Sequence, residues 1–499
     1  MSEHFISVDE AREDVLACGT YIAERITSGD GRAEAISAVV PHYLAKGDVD
    51  LAAELANTVD DPFTRDRLLT HVAEKCAELD DDEYALQLAD AVEDPAMREQ
   101  AFERIGLQKA ANGEFEKARE IASGMAHPDS VYGGIAFKQA EAGDQNAAGE
   151  TLELIEFPGA SVAALEEIAA SKLRAGMTDA AADYLEQAAV CAEEIEHDEE
   201  RIRSLIGVGH LFVEAGKNGR AVEIFDKAQQ RAAALDNVYR DGFLGAVALG
   251  FLHAGSLELA DRALDLVADK TEIATALLGY SQEFWKKDER GDALESLEEA
   301  YAILKSQLDS ETRSSKAKYR LFSNIAAQFA GFEKSERAIE IAQSIEDEAE
   351  QTSALSQISA VLSQRNEAEQ ARHALRAIPD DGNRVFALIG MSDANEKNGD
   401  RTAAVEMLDE AAALVESAPQ LPLRASAYGE IAKRYGEYDE VAKTDETISR
   451  NLATIASIRD DSNRALALAN LATFFAAARI NLNEKHTEIL QPMVLNASR

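Results

Sequence analysis

Small, large-apolar and polar positions recur along this chain in a fixed order, in units that mostly span 33 residues. Three stretches set the register: KGDVDLAAELANTVDDP, DDEYALQLADAVEDP and GEFEKAREIASGMAHP. Each carries a turn-forming residue and, five positions later, an alanine. Those alanines are Ala52, Ala85 and Ala118. The slot continues as Ala148, Ala181, Ala221, Ala260, Ala293, Ala338, Ala371 and Ala404, with Val441 in a twelfth copy. The turn slot holds Gly47, Gly113, Gly143, Gly176, Gly216, Gly255, Gly399 and Gly436, and elsewhere Asp80, Asp288, Glu333 and Asn366. Seven residues before the turn the side chain is small, from Ala73 and Gly106 through Ser392 and Gly429, with Val40 as the exception. A large apolar residue usually stands just before that slot, as at Val72, Ile105 and Ile168.

This pattern predicts two antiparallel helices per unit. Glycine, asparagine and aspartate tolerate the left-handed conformation that ends a helix. A small residue on the first helix, facing the slot alanine on the second, lets the backbones approach, and the large neighbours fill the flanking grooves. Neither helix buries its apolar stripe alone, so neighbouring units must stack. In Arg98 to His127, Gly106, Gly113 and Ala118 match the small residue, turn glycine and second small residue of the tetratricopeptide repeat. The array resembles that family over roughly residues 30 to 480. The family's aromatic after the small residue is often missing here, and its terminal proline is partial (Pro62, Pro95, Pro128). The resemblance implies an all-α, right-handed α-solenoid of about twelve antiparallel helix pairs, with helical caps at both ends.

The expected organisation is a capping helix within residues 1–31, a repeat array over 32–460 and a degenerate last repeat with a C-terminal cap over 461–499. The capping helix should cover 7–27 and open with Ser7 and Glu10 at capping-box spacing. In the last repeat Ala472 takes the small slot, Arg479 the turn and Glu484 the alanine position. Longer spacings near 182–240 and 293–338 predict helices lengthened by about two turns, with polar, exposed ends.

Composition narrows the function. The 499 residues hold 50 Lys plus Arg against 92 Asp plus Glu, a formal charge of −42. That charge repels phosphate, and no Lys/Arg run exceeds two residues, so no nucleic-acid partner is expected. The surplus has three readings: a solvated outer face, a salty cytoplasm, or attraction of a basic protein partner. Cys18, Cys76 and Cys191 fit neither a metal pattern nor a disulfide framework. The first residues lack a basic segment followed by an apolar one, and 465–480 is short for a membrane span. A cytoplasmic protein without membrane insertion is expected.

Seven arginines recur fifteen residues before the turn slot: Arg32, Arg65, Arg98, Arg201, Arg240, Arg384 and Arg464. Acids accompany several of them, so the expected role is an inter-repeat clasp that reaches the preceding helix's last carbonyls or a neighbouring acid. No catalytic, metal-binding or cofactor motif is present, and no enzyme activity or cofactor is expected. In the resembled family, first helices line a concave surface that holds peptides or partner helices. The equivalent positions here are richest in the middle of the array: Ile206, His210, Leu249, Leu252, His253, Leu278, Gln282 and Trp285, the last being the single tryptophan. Leucines beside an amphipathic aromatic have the composition of an interaction hot spot. The family's terminal-carboxylate clamp is not legible, because its slots read Glu103, Glu166, Ile206 and Leu278. The expected function is a non-enzymatic protein–protein interaction scaffold. The alternatives are a structural component that self-associates and a regulatory sensor of a peptide or small ligand.

Overall fold

The computed structural model describes residues 4–307, 315–478 and 482–497; for Ser315 and residues 476–478 only the backbone is described. Among these residues there are 28 α-helices and no strand. From Gly29–Lys46 with Val49–Asn57 to Leu421–Glu437 with Val441–Ala456, first and second helices alternate as hairpins. The chain divides into two compact units, one formed by residues 1–101 with 326–499 and the other by 102–325.

Helix boundaries follow from the residues at them. Glycines at 47, 113, 143, 176, 216, 255 and 399 take positive φ, and Asp80, Asp288, Glu333 and Asn366 take the same conformation at φ 60–64°. In the first of these turns the Gly47 N–H donates to Leu44 O and the Asp48 N–H to Tyr43 O, which satisfies carbonyls the ending helix leaves open. The aspartate after the turn then caps the second helix, as Asp48, Asp81, Asp144 and Asp400 do. Asp61, Asp269, Asp347 and Asp380 cap first helices in the same way. Part of the acidity therefore sits at helix N-termini, where carboxylates meet unpaired N–H groups and a favourable dipole. Pro62, Pro95 and Pro158 open first helices, where the missing N–H costs nothing.

The twelfth copy corrects the register. Its left-handed residue is Asp439 at φ 62°, whereas Gly436 lies inside helix Leu421–Glu437. The small slot is thus Ala432 rather than Gly429, and the alanine slot is Thr444 rather than Val441. Thr444 is 3% exposed and Val441 77%. A glycine three residues early misled the sequence reading, because Asp, like Gly, can take the left-handed conformation, at some cost in strain. In the other eleven copies every slot alanine is fully buried.

Two polar devices join one repeat to the next. In the first, an arginine near the start of a first helix donates to a carbonyl six residues earlier, in the linker that precedes it. Arg98 Nε meets Val92 O at 2.8 Å, Arg201 Nε meets Ile195 O at 2.7 Å, and Arg384 Nε meets Ile378 O at 2.9 Å. Arg464 donates to Ile458 O likewise. The corrected register adds Arg424, which donates to Ala418 O. Gln351 holds the slot in another copy and reaches Ile345 O at 3.1 Å. The second device is a buried aspartate one position later. Asp66 accepts from the backbone N–H groups of Glu93 and Asp94 at 3.0 and 2.8 Å. Asp129 does so from Glu156 and Phe157, and Asp241 from Ala268 and Asp269. Where this aspartate follows the arginine, the arginine turns to it: Arg65 to Asp66 at 3.3 Å and Arg240 to Asp241 at 2.7 Å. Arg240 also donates to Leu266 O at 3.1 Å. Arg32 joins neither set, and its Nε takes no described partner. Leaving one of these buried backbone groups unpaired would cost about 1–3 kcal/mol.

The extra length of the longer units lies in their second helices. Leu257–Leu264 and Gln145–Leu152 have 8 residues, whereas Thr178–Glu194, Asn218–Ala234 and Arg290–Ser306 have 17. The remainder of the segment predicted to lengthen near 293–338 includes 308–314, and Arg479 is also outside the described residues.

The ends depart from two separate caps. Instead of one helix over 7–27 there are two, Val8–Glu13 and Val15–Ala23, with extended Asp14 between them capping the second at Ala17 N. The Ser7–Glu10 capping box closes the first. Every residue of Val15–Ala23 is buried, because this helix packs along Asp461–Ala478 and beside Gly29–Lys46. Second helices elsewhere pack in the same way along their own first helix and the next one. A Cβ on Gly19 would stand 3.2 Å from Leu468 Cβ and 3.3 Å from Ala465 O, so the contact is backbone-close. Ser462 Oγ donates to Glu34 Oε2 at 3.0 Å across the same junction.

Candidate functional site

Three first helices of the 102–325 unit carry the mid-array face: Asp198–Glu214, Arg240–His253 and Lys270–Lys286. Phe225, from second helix Asn218–Ala234, sets the spacing of the first two. A Cβ on either Gly209 or Gly250 would come 2.5 Å from its ring, so the ring lies between two faces bare of side chains. Phe225 meets Phe251 at 5.8 Å and His210 at 5.2 Å between ring centroids, both edge-on. The same approach brings the His210 and His253 rings to 5.4 Å. Asp241 fixes the third helix by gripping its N-terminal linker, and Asp269 caps it.

Ile206, His210, Leu249, His253, Leu278 and Trp285 are half-buried on this face, and Gln282 is exposed. Leu252 is not part of it: at 2% exposure it belongs to the interior. It lies one helical turn after the small residue Ala248, on the stripe that packs into the array. Trp285 occupies the equivalent slot after Ser281, but its larger ring is not fully covered. Leu249 leans on the next helix, where a Cβ at Gly279 would stand 3.0 Å from its Cδ2. The Arg290 guanidinium lies over the Trp285 ring at 4.9 Å.

Burial holds both imidazoles below their ordinary value. For His210 the neighbouring His253 lowers it further. For His253, Glu283 at 3.7 Å opposes burial, while Lys286 and Lys287 reinforce it. Both rings are therefore neutral at pH 7 and offer one donor and one acceptor each. The burial of one slot residue escaped the sequence reading. Glu166 sits ten residues before its turn, in the slot that holds Ile206 and Leu278 in later copies. Its Oε1 is buried without a described partner, and a Cβ on Gly207 of the next first helix would be 2.7 Å from it. Burial pushes this carboxyl up to about 7. The available signal was Gly207, which leaves room for the carboxyl.

Among the described residues, no group of three or more His, Cys, Asp or Glu is placed to hold a metal ion. Burial pushes the Cys18 thiol up to about 12 and Cys76 up to about 11, which keeps both protonated. No described helix is long and apolar enough to cross a membrane. Six of the seven arginines reach a linker carbonyl or the aspartate that grips one, Arg32 reaches neither, and none of the seven belongs to this face.

A left-handed turn residue defines each hairpin, with a small residue seven positions before it in all but the first copy and a buried alanine five positions after it in all but the twelfth. The repeat is tetratricopeptide-like. No family model matches the chain, and no curated protein matches it. Among solved structures, the tetratricopeptide-like array is similar to Ton1535 from Thermococcus onnurineus NA1, at 17% identity over 70% of this chain and 97% of that one, with a TM-score of 0.24. A Podospora anserina putative kinesin light chain with TPR-like repeats shares 15% identity over 52% of this chain and 96% of its own, with a TM-score of 0.24. The Cut9–Hcn1 hetero-tetramer of APC/C shares 13% over 86% and 88%, with a TM-score of 0.22.

Proposed function

We propose that this chain is a non-enzymatic scaffold that holds a protein segment or partner helix along the first helices of its 102–325 unit. One observation carries the reading. Ile206, Leu249, Leu278 and Trp285 keep apolar surface exposed on three consecutive first helices of an otherwise acidic chain. Covering such surface yields about 25 cal/mol per Å², and a central aromatic concentrates that gain. The neutral His210 and His253 add hydrogen bonds without a charge to desolvate.

The test compares wild type with a Leu249→Glu, Leu278→Glu, Trp285→Ala variant of equal helicity by affinity capture. A photocrosslinker placed at Gln282 maps where the captured protein sits. The expected result is a partner crosslinked through position 282 by wild type and lost by the variant. A partner held equally by both, or none held by either, overturns the reading. In the second case, light scattering against concentration tests self-association.

A further inference from the structure

The corrected register of the twelfth repeat exposes an anomaly. Twelve residues after the turn, the other eleven copies carry Val59, Val92, Met125, Ile155, Ala188, Ala228, Val267, Ala300, Ile345, Ile378 and Ala411, all apolar. The twelfth carries Asn451. Asn451 is 1% exposed, and its Oδ1 is buried without a hydrogen bond from any described residue. A carboxamide can donate twice and accept twice, and leaving its oxygen dry and unpaired costs about 1–3 kcal/mol. An apolar residue would be the stable choice at this slot, so packing does not account for the asparagine.

Space lies in front of it. Asn451 lines a cavity of about 470 Å³ bounded by helices Leu421–Glu437, Val441–Ala456 and Asp461–Ala478, all within the unit that contains both chain ends. That volume is in the range of small-molecule sites. Gly429, which the corrected register releases from the small slot, faces the carboxamide: a Cβ there would be 3.4 Å from Asn451 Nδ2. The missing side chain leaves the space beside Nδ2 unfilled. Ala425, Leu471 and Phe474 give the lining an apolar part, and Asn463 and Asn470 stand exposed along it.

We infer that this cavity binds a small uncharged molecule through an edge that places an N–H donor beside an acceptor. That pattern complements a carboxamide in a paired, two-bond geometry and is shared by simple amides and nucleobases. Its apolar remainder lies against Ala425, Leu471 and Phe474. The site is separate from the mid-array face and stands or falls independently of it.

Isothermal titration with two probe sets tests this: nicotinamide and propionamide as amides, adenine and uracil as nucleobases. Methyl nicotinate, which lacks the N–H donor, is the control. One set is expected to bind wild type one-to-one in the millimolar range or tighter, which identifies the source of the edge. Affinity should fall at least tenfold for methyl nicotinate, for Asn451→Leu and for Asn451→Asp, which keeps the volume but loses both donors. Ligand-free Asn451→Leu should melt above wild type, since it removes an unpaired buried amide. Three results would overturn the inference: no probe from either set binds, a probe binds Asn451→Leu as well as wild type, or Asn451→Leu melts below wild type. The last would mean that the amide is held by structural water. If Asn451→Leu fails to fold, Asn451→Asp carries the binding comparison.

Discussion

At the scale of single residues, the face in the 102–325 unit is shaped by what is missing as much as by what is present. Gly209 and Gly250 admit Phe225, and Gly207 admits Glu166. The buried Glu166 carboxyl gives a signed prediction. Its folded value is raised from 4.5 to about 7 by burial, so it favours the folded state below about 4.5, and that contribution is lost as pH rises through 7. Glu166→Gln removes the penalty. Relative to wild type, the variant should gain on the order of 1 kcal/mol between pH 5 and pH 8, discounted for partial solvent screening. Urea denaturation at the two pH values measures this, and an equal difference at both would refute it. The slot was legible in the sequence, but the burial was not. A glutamate in an acidic chain reads as solvated until the neighbouring helix brings a glycine against it.

At the scale of elements, the hairpins were largely written in the chain. Eleven of the twelve left-handed residues stand where the spacing put them, because a helix that must reverse over one residue favours Gly, Asn or Asp there, with Glu333 the one departure. The twelfth differs by three residues and tests the register directly. Asp439→Gly should stabilise by about 0.5–1 kcal/mol, since glycine takes φ 62° without strain. Gly436→Ala, inside a helix, should leave the melting temperature unchanged or raise it. If Gly436 were the turn residue, that second variant would destabilise. The arginine period was visible as well, and so was the choice between a carbonyl and an acid as its partner. What selects between them is whether aspartate comes next, as at Asp66 and Asp241, and that device was not visible in the sequence. The two N–H groups that such an aspartate pairs with lie 27 and 28 residues downstream, and only stacking of one repeat on the next brings them there.

At the scale of the whole molecule, one unit is assembled from residues 1–101 and 326–499, with helix Val15–Ala23 serving as second helix to Asp461–Ala478. Gly19→Leu should wedge that junction apart. Hydrogen exchange should then speed up in both 15–23 and 461–478, segments more than 400 residues apart in sequence, while Glu348–Gln364 keeps its protection. Loss confined to 15–23 would show that the helix is only an appendage. The sequence by itself determined the all-helical class, the hairpin unit, its caps and the small-residue packing, because each follows from local spacing and backbone preference. Tertiary structure alone decided that the two ends share a repeat, that Leu252 is interior while Trp285 is not, that Glu166 is buried, and that Asn451 opens on a cavity. Each of these depends on which side chain a distant helix brings up, and a periodic sequence records the slot without recording its neighbour.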